Sequence, residues 1–133
     1  GALFHDSDAS FLSAIDVLSM HLPGGEATRK WLNAERLAMM RPGSLVVNAG
    51  RGGSVDDAAL VAALRSGHIR AAGLDVYDGE PRIFEGYHGL ENVVLLPHLG
   101  SATIEVRDAM GHRALDNLAA VLIRGAAPPH PVG

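Results

Sequence analysis

The chain has 133 residues, a common size for a single domain, and apolar residues make up 47 % of it. Its formal net charge of −4 gives no reason to expect nucleic acid or an anionic membrane surface as a partner. The absence of cysteine excludes disulfides, thiolate metal sites and a cysteine nucleophile. The apolar runs are far shorter than the ~20 residues of a membrane span, and the N-terminus has no basic signal-peptide start. These features are typical of a cytoplasmic globular domain.

Short apolar runs alternate with segments of helical period, which predicts an α/β fold with a parallel sheet. We expect strands at residues 15–20, 45–49, 71–76 and 93–96, side by side in that order. A further short strand is predicted at residues 2–4.

Helix signals separate these predicted strands. Asn33 is a plausible N-cap for a short helix that runs to Met39. Asp56 is expected to cap the next helix, and Gly67 to end it. The apolar face of that helix comprises Leu60, Val61 and Leu64.

A long helix is predicted to begin near Ser101. Its apolar residues recur at four-residue spacing, at Met110, Ala114, Leu118 and Leu122. The tail at residues 126–133 is too rich in proline to continue it.

Three of the predicted strands are followed by an ionisable residue: Arg51, Glu80 and His98. In an open α/β sheet, ligands bind outside the carboxyl ends of the strands. A guanidinium offers a planar fork of donors for a carboxylate or keto oxygen, and a carboxylate beside a histidine fixes its tautomer and orientation. The alternatives are a surface arginine, a solvated loop acid and a histidine that caps a helix.

Glycine-containing turns follow two of these strands, at Arg51-Gly-Gly and Leu99-Gly-Ser-Ala. Backbone N–H groups at or before a helix start favour an anion there. No G-x-G-x-x-G motif occurs, so that motif does not predict a dinucleotide site. The remaining histidines show no ligand spacing, and we therefore expect no metal site.

Taken together, the segments DVLSMHLPGGEATRKWLN, SLVVNAGRGGSVDDAAL, GLDVYDGEP and NVVLLPHLGSAT resemble the C-terminal part of the D-isomer-specific 2-hydroxyacid dehydrogenases. The resemblance runs in order through essentially the whole chain. It implies a partial Rossmann-type, doubly wound parallel sheet followed by a long helix. Residues 1–103 would be the C-terminal half of an NAD(P)-binding domain, and residues 104–133 a helix and tail leading to the substrate domain.

The resemblance also implies roles for individual residues. Arg51 would anchor the carboxylate and keto group of a 2-keto acid, His98 would be the acid that protonates the forming alkoxide, and Glu80 would orient His98. Because many relatives carry a bulkier pair at Ala49-Gly50, we expect the turn there to be more flexible. Contacts to NAD or NADP are implied for Pro23, Thr28, Asn48, Ala49, Gly50, Asp75, Gly100 and Ser101.

The sequence lacks the glycine-rich loop and the ribose-binding strand that the family uses. We therefore expect a fragment of a longer enzyme that does not catalyse by itself, and expect the full-length enzyme to be a homodimer. The strand at residues 15–20 should then be an unprotected edge that favours association. Without the substrate domain, the apolar face of the long helix should protrude or pack against a second copy, because a large exposed apolar stripe favours association. Glyoxylate or hydroxypyruvate is the preferred substrate. The alternatives are a non-catalytic nucleotide-sensing or interaction module on the same fold, and an inactive truncated product.

Overall fold

The computed structural model describes residues 1–131, so Val132 and Gly133 of the predicted tail lie outside the described residues. The chain divides into two compact units, which we call the sheet unit (Gly1–Pro97) and the helix unit (from His98 onward). Each is described by itself. The predicted division after residue 103, which separates two functional parts, stays a prediction.

The sheet unit is built on a four-stranded parallel sheet in the order β1-β2-β3-β4. This confirms the predicted α/β architecture and the sequential strand order. Each strand lies within two residues of its predicted start and end. The strands are β1 (Val17–Met20), β2 (Ser44–Asn48), β3 (Ile69–Leu74) and β4 (Val93–Leu95).

Three helices accompany these strands: α1 (Asp8–Ala14), α2 (Ala34–Met39) and α3 (Asp57–Arg65). The predicted caps are confirmed, because the Asn33 side chain accepts a hydrogen bond from the Arg36 N–H and the Asp56 side chain accepts one from the Ala59 N–H. Gly67 follows α3 with a φ of 76°, a left-handed conformation that favours glycine.

The N-terminal segment differs from the prediction. Residues 2–4 form no strand, and the side chains of Leu3 and Phe4 are 86 % and 91 % exposed. Apolar character alone does not make a strand, which also needs a neighbour to pair with its backbone. The first element is instead helix α1, which the sequence analysis missed and which Ser7 caps by accepting from the Ser10 N–H.

The core of the sheet unit lies between the sheet and these helices. The predicted apolar face of α3 is fully buried there, together with residues of all three helices and of β1, β2 and β3. Its most deeply buried large side chains are Leu12, Leu32, Leu37, Met40, Val46, Leu60, Ile69 and Tyr87.

The helix unit contains one long helix, α4 (Ile104–Leu118), which continues as a π-helical turn over Ala119–Ile123. It begins three residues later than predicted, because Thr103 supplies the N-cap by accepting from the Val106 N–H. No residue of α4 is buried, and the predicted apolar positions Met110, Leu118 and Leu122 are exposed. None of the helices in residues 1–131 is long and apolar enough to cross a membrane.

Candidate functional site

The turn after β2 is held by its own side chains. Asn48, buried at the end of β2, accepts from the Gly50 N–H at 3.0 Å and donates from Nδ2 to the Arg51 carbonyl at 3.2 Å. The Ser54 hydroxyl donates to the same carbonyl at 2.6 Å. The Arg51 backbone is therefore fixed while its side chain stays exposed, with one guanidinium N–H donated to the Gly50 carbonyl.

Two glycines let this turn lie close to both neighbouring strand ends. A Cβ on Gly50 would stand 2.8 Å from the Leu22 carbonyl oxygen, in the segment after β1. A Cβ on Gly52 would overlap the backbone of Tyr77 and Asp78, in the segment after β3. The structure gives Gly50 a packing role against Leu22, and the expected greater flexibility of the turn stays a prediction. The segments after β1, β2 and β3 consequently meet around Arg51.

The segment after β1 forms a small cavity with the Arg51 turn. The Thr28 hydroxyl lies 2.7 Å from the Pro23 carbonyl and 3.2 Å from the Gly25 carbonyl, so it holds the glycine turn in place. Thr28 and Arg51 both line a cavity of about 160 Å³. The structure thus brings together a residue predicted to contact the cofactor and one predicted to bind substrate. Its other lining residues are Gly24, Gly25, Glu26, Arg29, Gly53 and Ser54.

The segment after β3 carries Asp75 and Glu80. Asp75 is half-buried, and its N–H donates to the Asn48 carbonyl at 3.0 Å, which continues the pairing of β3 with β2. The Glu80 carboxylate accepts from the Tyr77 N–H at 3.0 Å. Both predicted residues are therefore fixed at the carboxyl edge of the sheet, beside the Arg51 turn.

Two further residues of this edge were missed by the sequence analysis. Arg29 forms an ion pair with Asp78 at 3.7 Å, which links the segments after β1 and β3 across Gly53. Tyr77 is buried, and its hydroxyl lies 2.7 Å from the Leu96 carbonyl. No sequence signal identified Arg29 or Tyr77, because their partners are distant in sequence or depend on the local backbone.

Three further predicted residues, His98, Gly100 and Ser101, belong to the helix unit. His98 has a φ of 54°, in the left-handed region where histidine is more frequent than most residues. The Ala102 N–H donates to the Leu99 carbonyl at 2.9 Å, which forms a turn around Gly100 and Ser101. The expected contact between Glu80 and His98 stays a prediction.

The donor set at the sheet edge suits an anion or a polar organic ligand. Within the part of the chain that the structure describes, no group of three or more histidine, aspartate or glutamate side chains is arranged to hold a metal ion. The cavity beside Arg51 is smaller than the ~300–1,000 Å³ of a typical ligand pocket, so it fits a small ligand or only part of a larger one. The exposed guanidinium supplies a positive charge at its mouth.

Comparison with known proteins agrees with this geometry. Residues 4–100 match the sequence profile of the D-isomer specific 2-hydroxyacid dehydrogenase NAD binding domain, and the chain belongs to that family. Its cofactor class is accordingly NAD or NADP. A glycerate dehydrogenase of Hyphomicrobium methylovorum is 44 % identical over 86 % of this chain, and a glyoxylate/hydroxypyruvate reductase B of Erwinia tasmaniensis is 46 % identical over 85 %.

Solved structures show the same fold. A putative D-isomer specific 2-hydroxyacid dehydrogenase from Polaromonas superposes over 100 % of this chain with a TM-score of 0.91 at 40 % identity. An NADPH-dependent glyoxylate/hydroxypyruvate reductase from Sinorhizobium meliloti, solved with NADP and malonate, covers 97 % of it with a TM-score of 0.89 at 41 % identity. The chain spans 36 % of each of those two sequence relatives and 41 % and 40 % of the two structures.

Proposed function

We propose that this chain carries the substrate-binding and proton-donating part of an oxidoreductase that interconverts a small 2-keto acid and a D-2-hydroxy acid. The observation that carries the proposal is the meeting of the Arg51 turn with the Glu80 segment at the carboxyl edge of β2 and β3, where Gly52 packs on Tyr77. Glyoxylate or hydroxypyruvate is the proposed substrate, since relatives of this chain are named for these acids.

Each predicted residue has a chemical task in this proposal. Arg51 binds the carboxylate and the adjacent keto oxygen through its planar fork of donors. His98 donates a proton to the keto oxygen as the carbonyl carbon is reduced, and Glu80 orients its imidazole. The left-handed backbone of His98 supports this role, because sparsely populated conformations cluster at active sites.

The proposed cofactor contacts come from both units. In the sheet unit, Pro23, Thr28, the Asn48-Ala49-Gly50 turn and Asp75 would contact NAD or NADP. Gly100 and Ser101 would add contacts from the helix unit. When bound, the cofactor supplies the hydride for the reduction. The remaining partners in the proposal are the small acid and, in the full-length enzyme, a second subunit.

We further propose that these 133 residues do not catalyse by themselves. Holding the nicotinamide and the keto acid in register can contribute roughly 7–11 kcal/mol, and the chain spans 36 % of the glycerate dehydrogenase it matches. The test is to purify the chain, titrate NADH and NADPH by fluorescence and assay glyoxylate reduction. Micromolar binding with turnover near that of a complete relative would contradict the proposal.

The catalytic roles are tested in a chimera, in which this chain replaces the matching stretch of the Hyphomicrobium glycerate dehydrogenase. Because a positioned acid contributes about 10²- to 10⁴-fold, His98→Ala should lower kcat by that factor. His88→Ala, which changes an exposed histidine of the sheet unit, is the matched control. Arg51→Ala should chiefly raise KM for the keto acid, with Arg70→Ala, on exposed β3 surface, as its control. A His98→Ala chimera with unchanged turnover would assign the acid to another residue.

The competing class is a non-catalytic nucleotide-binding module. In that case the chimera would bind NADH or NADPH but would not reduce glyoxylate or hydroxypyruvate, and substitution of Arg51, Glu80 or His98 would leave nucleotide binding unchanged. Turnover that depends on all three residues excludes the module.

A further inference from the structure

Tyr77 contacts each of the segments that follow β2, β3 and β4. Its backbone lies against Gly52, one residue after Arg51, so closely that no side chain fits at position 52. Its N–H donates to the Glu80 carboxylate at 3.0 Å. Its hydroxyl lies 2.7 Å from the carbonyl of Leu96, which follows β4 and precedes His98 by two residues. No other task in the proposed reaction uses this side chain.

The hydroxyl of Tyr77 closes the hydrogen-bond ladder between β3 and β4. The last registered pair of these strands is Leu74 with Leu95, and the Leu96 N–H donates to the Leu74 carbonyl at 2.9 Å. The Tyr77 hydroxyl lies 2.9 Å from that same Leu74 carbonyl as well as 2.7 Å from the Leu96 carbonyl. It therefore satisfies a backbone acceptor at the point where the sheet stops pairing.

The chemistry of the buried phenol suits a fixed donor. Tyr77 is only 8 % exposed, and burial raises the pKa of its hydroxyl above the usual value for tyrosine. The hydroxyl consequently keeps its proton at neutral pH. A buried hydrogen bond to a backbone carbonyl holds both partners in place, since leaving either unpaired is unfavourable.

We propose that Tyr77 is a positioning residue of the site, which sets the orientation of the Glu80 carboxylate and the end of β4. With its ring in the core, its hydroxyl on Leu96 and its N–H on Glu80, a displacement of residue 77 moves all three segments. This proposal rests on the proposed function, because orientation of Glu80 matters only if Glu80 acts on the reaction.

The first test uses the 133-residue chain and requires no turnover. The amide resonance of residue 77 is followed by NMR as Glu80 titrates, because a hydrogen bond to an ionised carboxylate is stronger than one to the neutral acid. Tyr77→Phe keeps the ring and removes only the hydroxyl. We expect it to reduce the pH-dependent shift of this amide by about half or more, since hydrogen bonds weaken steeply with poorer geometry. An unchanged shift overturns the proposal.

Tyr87→Phe is the matched control. Tyr87 is also buried, and its hydroxyl donates to the Asp57 carboxylate at 2.7 Å, so the control removes a comparable hydrogen bond elsewhere in the sheet unit. We expect the amide of residue 77 to titrate in Tyr87→Phe as it does in the unchanged chain. A loss of its shift in both variants would indicate general loosening and would overturn a specific role for Tyr77.

The second test separates this proposal from the proposed function. In the chimera, Tyr77→Phe should lower kcat about threefold to tenfold with KM within about twofold, and Tyr87→Phe should leave both unchanged. If Glu80→Gln turns over normally, the proposed role of Glu80 is wrong. If Glu80→Gln is slow while Tyr77→Phe is as fast as the unchanged chimera, the positioning role of Tyr77 alone is overturned.

Discussion

Helices α3 and α4 have similar apolar stripes but different surroundings. In the sheet unit, the α3 residues Leu60, Val61 and Leu64 are at most 5 % exposed. In the helix unit, the α4 residues Met110 and Leu118 are 52 % and 54 % exposed, and no residue of α4 is buried. An amphipathic pattern therefore indicates which side of a helix is suited to burial, whereas the burial itself depends on another element that packs on that side.

This difference has an energetic consequence. Helix stability in proteins comes mostly from packing of the apolar face, and isolated helices of about 15 residues are marginal in water. The sheet unit has a core that can hold α3, so its helices should unfold together with the sheet. Helix α4 has no such burial, and its exposed stripe is a surface on which a second copy or the rest of a longer enzyme can pack.

The largest expected effect comes from truncating the buried stripe. Leu60 is fully buried, and Leu60→Ala should lower the free energy of unfolding by about 2–5 kcal/mol. Leu118→Ala removes the same atoms from an exposed position and should change it by less than about 0.5 kcal/mol. Urea unfolding followed by far-ultraviolet circular dichroism measures both variants.

Equal losses in the two variants would break the comparison, because they would mean that the α4 stripe is covered in solution. Light scattering then shows whether the α4 stripe is buried against a second copy or within a single chain. A dimer that Leu118→Ala converts to monomer would support the expectation that α4 packs against a second copy. A monomeric chain in which Leu118→Ala still lowers the free energy of unfolding as much as Leu60→Ala would contradict that expectation.

The parallel sheet was predictable because its signal is local and repeated. Each strand is a short, mostly apolar run followed by a polar residue or a proline, and the segments between the strands carry recognisable helix caps such as Asn33 and Asp56. The predicted strand at residues 2–4 was wrong because pairing needs a neighbouring strand, which the sequence of that segment does not reveal. Helix α1 is short and has a weak apolar period, so its cap at Ser7 was not recognised.

The site was predictable to a smaller degree. Arg51 and Glu80 follow strands, and strand order alone places them at one edge of the sheet. The packing of Gly52 on Tyr77 and the ion pair of Arg29 with Asp78 join segments that are 25 or more residues apart, which no local pattern indicates. Roles for His98 and the cofactor contacts came from the family resemblance and stay predictions.

An intermediate effect is expected from removing the N-caps of helices α3 and α4, one in each unit. Asp56→Ala removes the cap of α3 and should lower the free energy of unfolding of the sheet unit by about 0.5–2 kcal/mol. Asp56→Asn keeps the acceptor for the Ala59 N–H and is the control. Thr103→Ala removes the cap of α4, and we expect faster amide hydrogen exchange in α4 with no change in the protection of β2 and β3. Unchanged exchange of β2 after Asp56→Ala, or faster exchange there after Thr103→Ala, would contradict these expectations.

The smallest expected effect concerns two neighbouring carboxylates of the sheet unit that differ in burial. Burial raises the pKa of Asp57, and the negative charges of Asp78 and Asp56 act in the same direction, although the Tyr87 hydroxyl donates to it. For Asp56 burial also acts to raise the pKa, but hydrogen bonds from Lys30 and the Ala59 N–H outweigh it, so that its pKa lies below the usual value. The two residues should therefore affect stability in opposite directions as the pH changes.

A raised pKa in the folded state means that Asp57 favours folding fully below its unfolded pKa near 3.8 and loses that contribution as the pH rises through the folded value. Asp57→Asn, whose amide oxygen can still accept from Tyr87, should gain stability relative to the unchanged chain as the pH increases from 3.8 upward.

Asp56 has a lowered pKa, so its contribution to stability is present above 3.8 and is lost as the pH falls. Asp56→Asn should accordingly lose stability relative to the unchanged chain as the pH rises toward and just past 3.8, where the contribution of Asp56 becomes complete. Urea unfolding of the three proteins between about pH 3 and 6 measures both slopes. Slopes of the same sign would show that Asp57 is as well solvated as an ordinary surface carboxylate, and that the Asp57–Tyr87 contact is not part of the buried core.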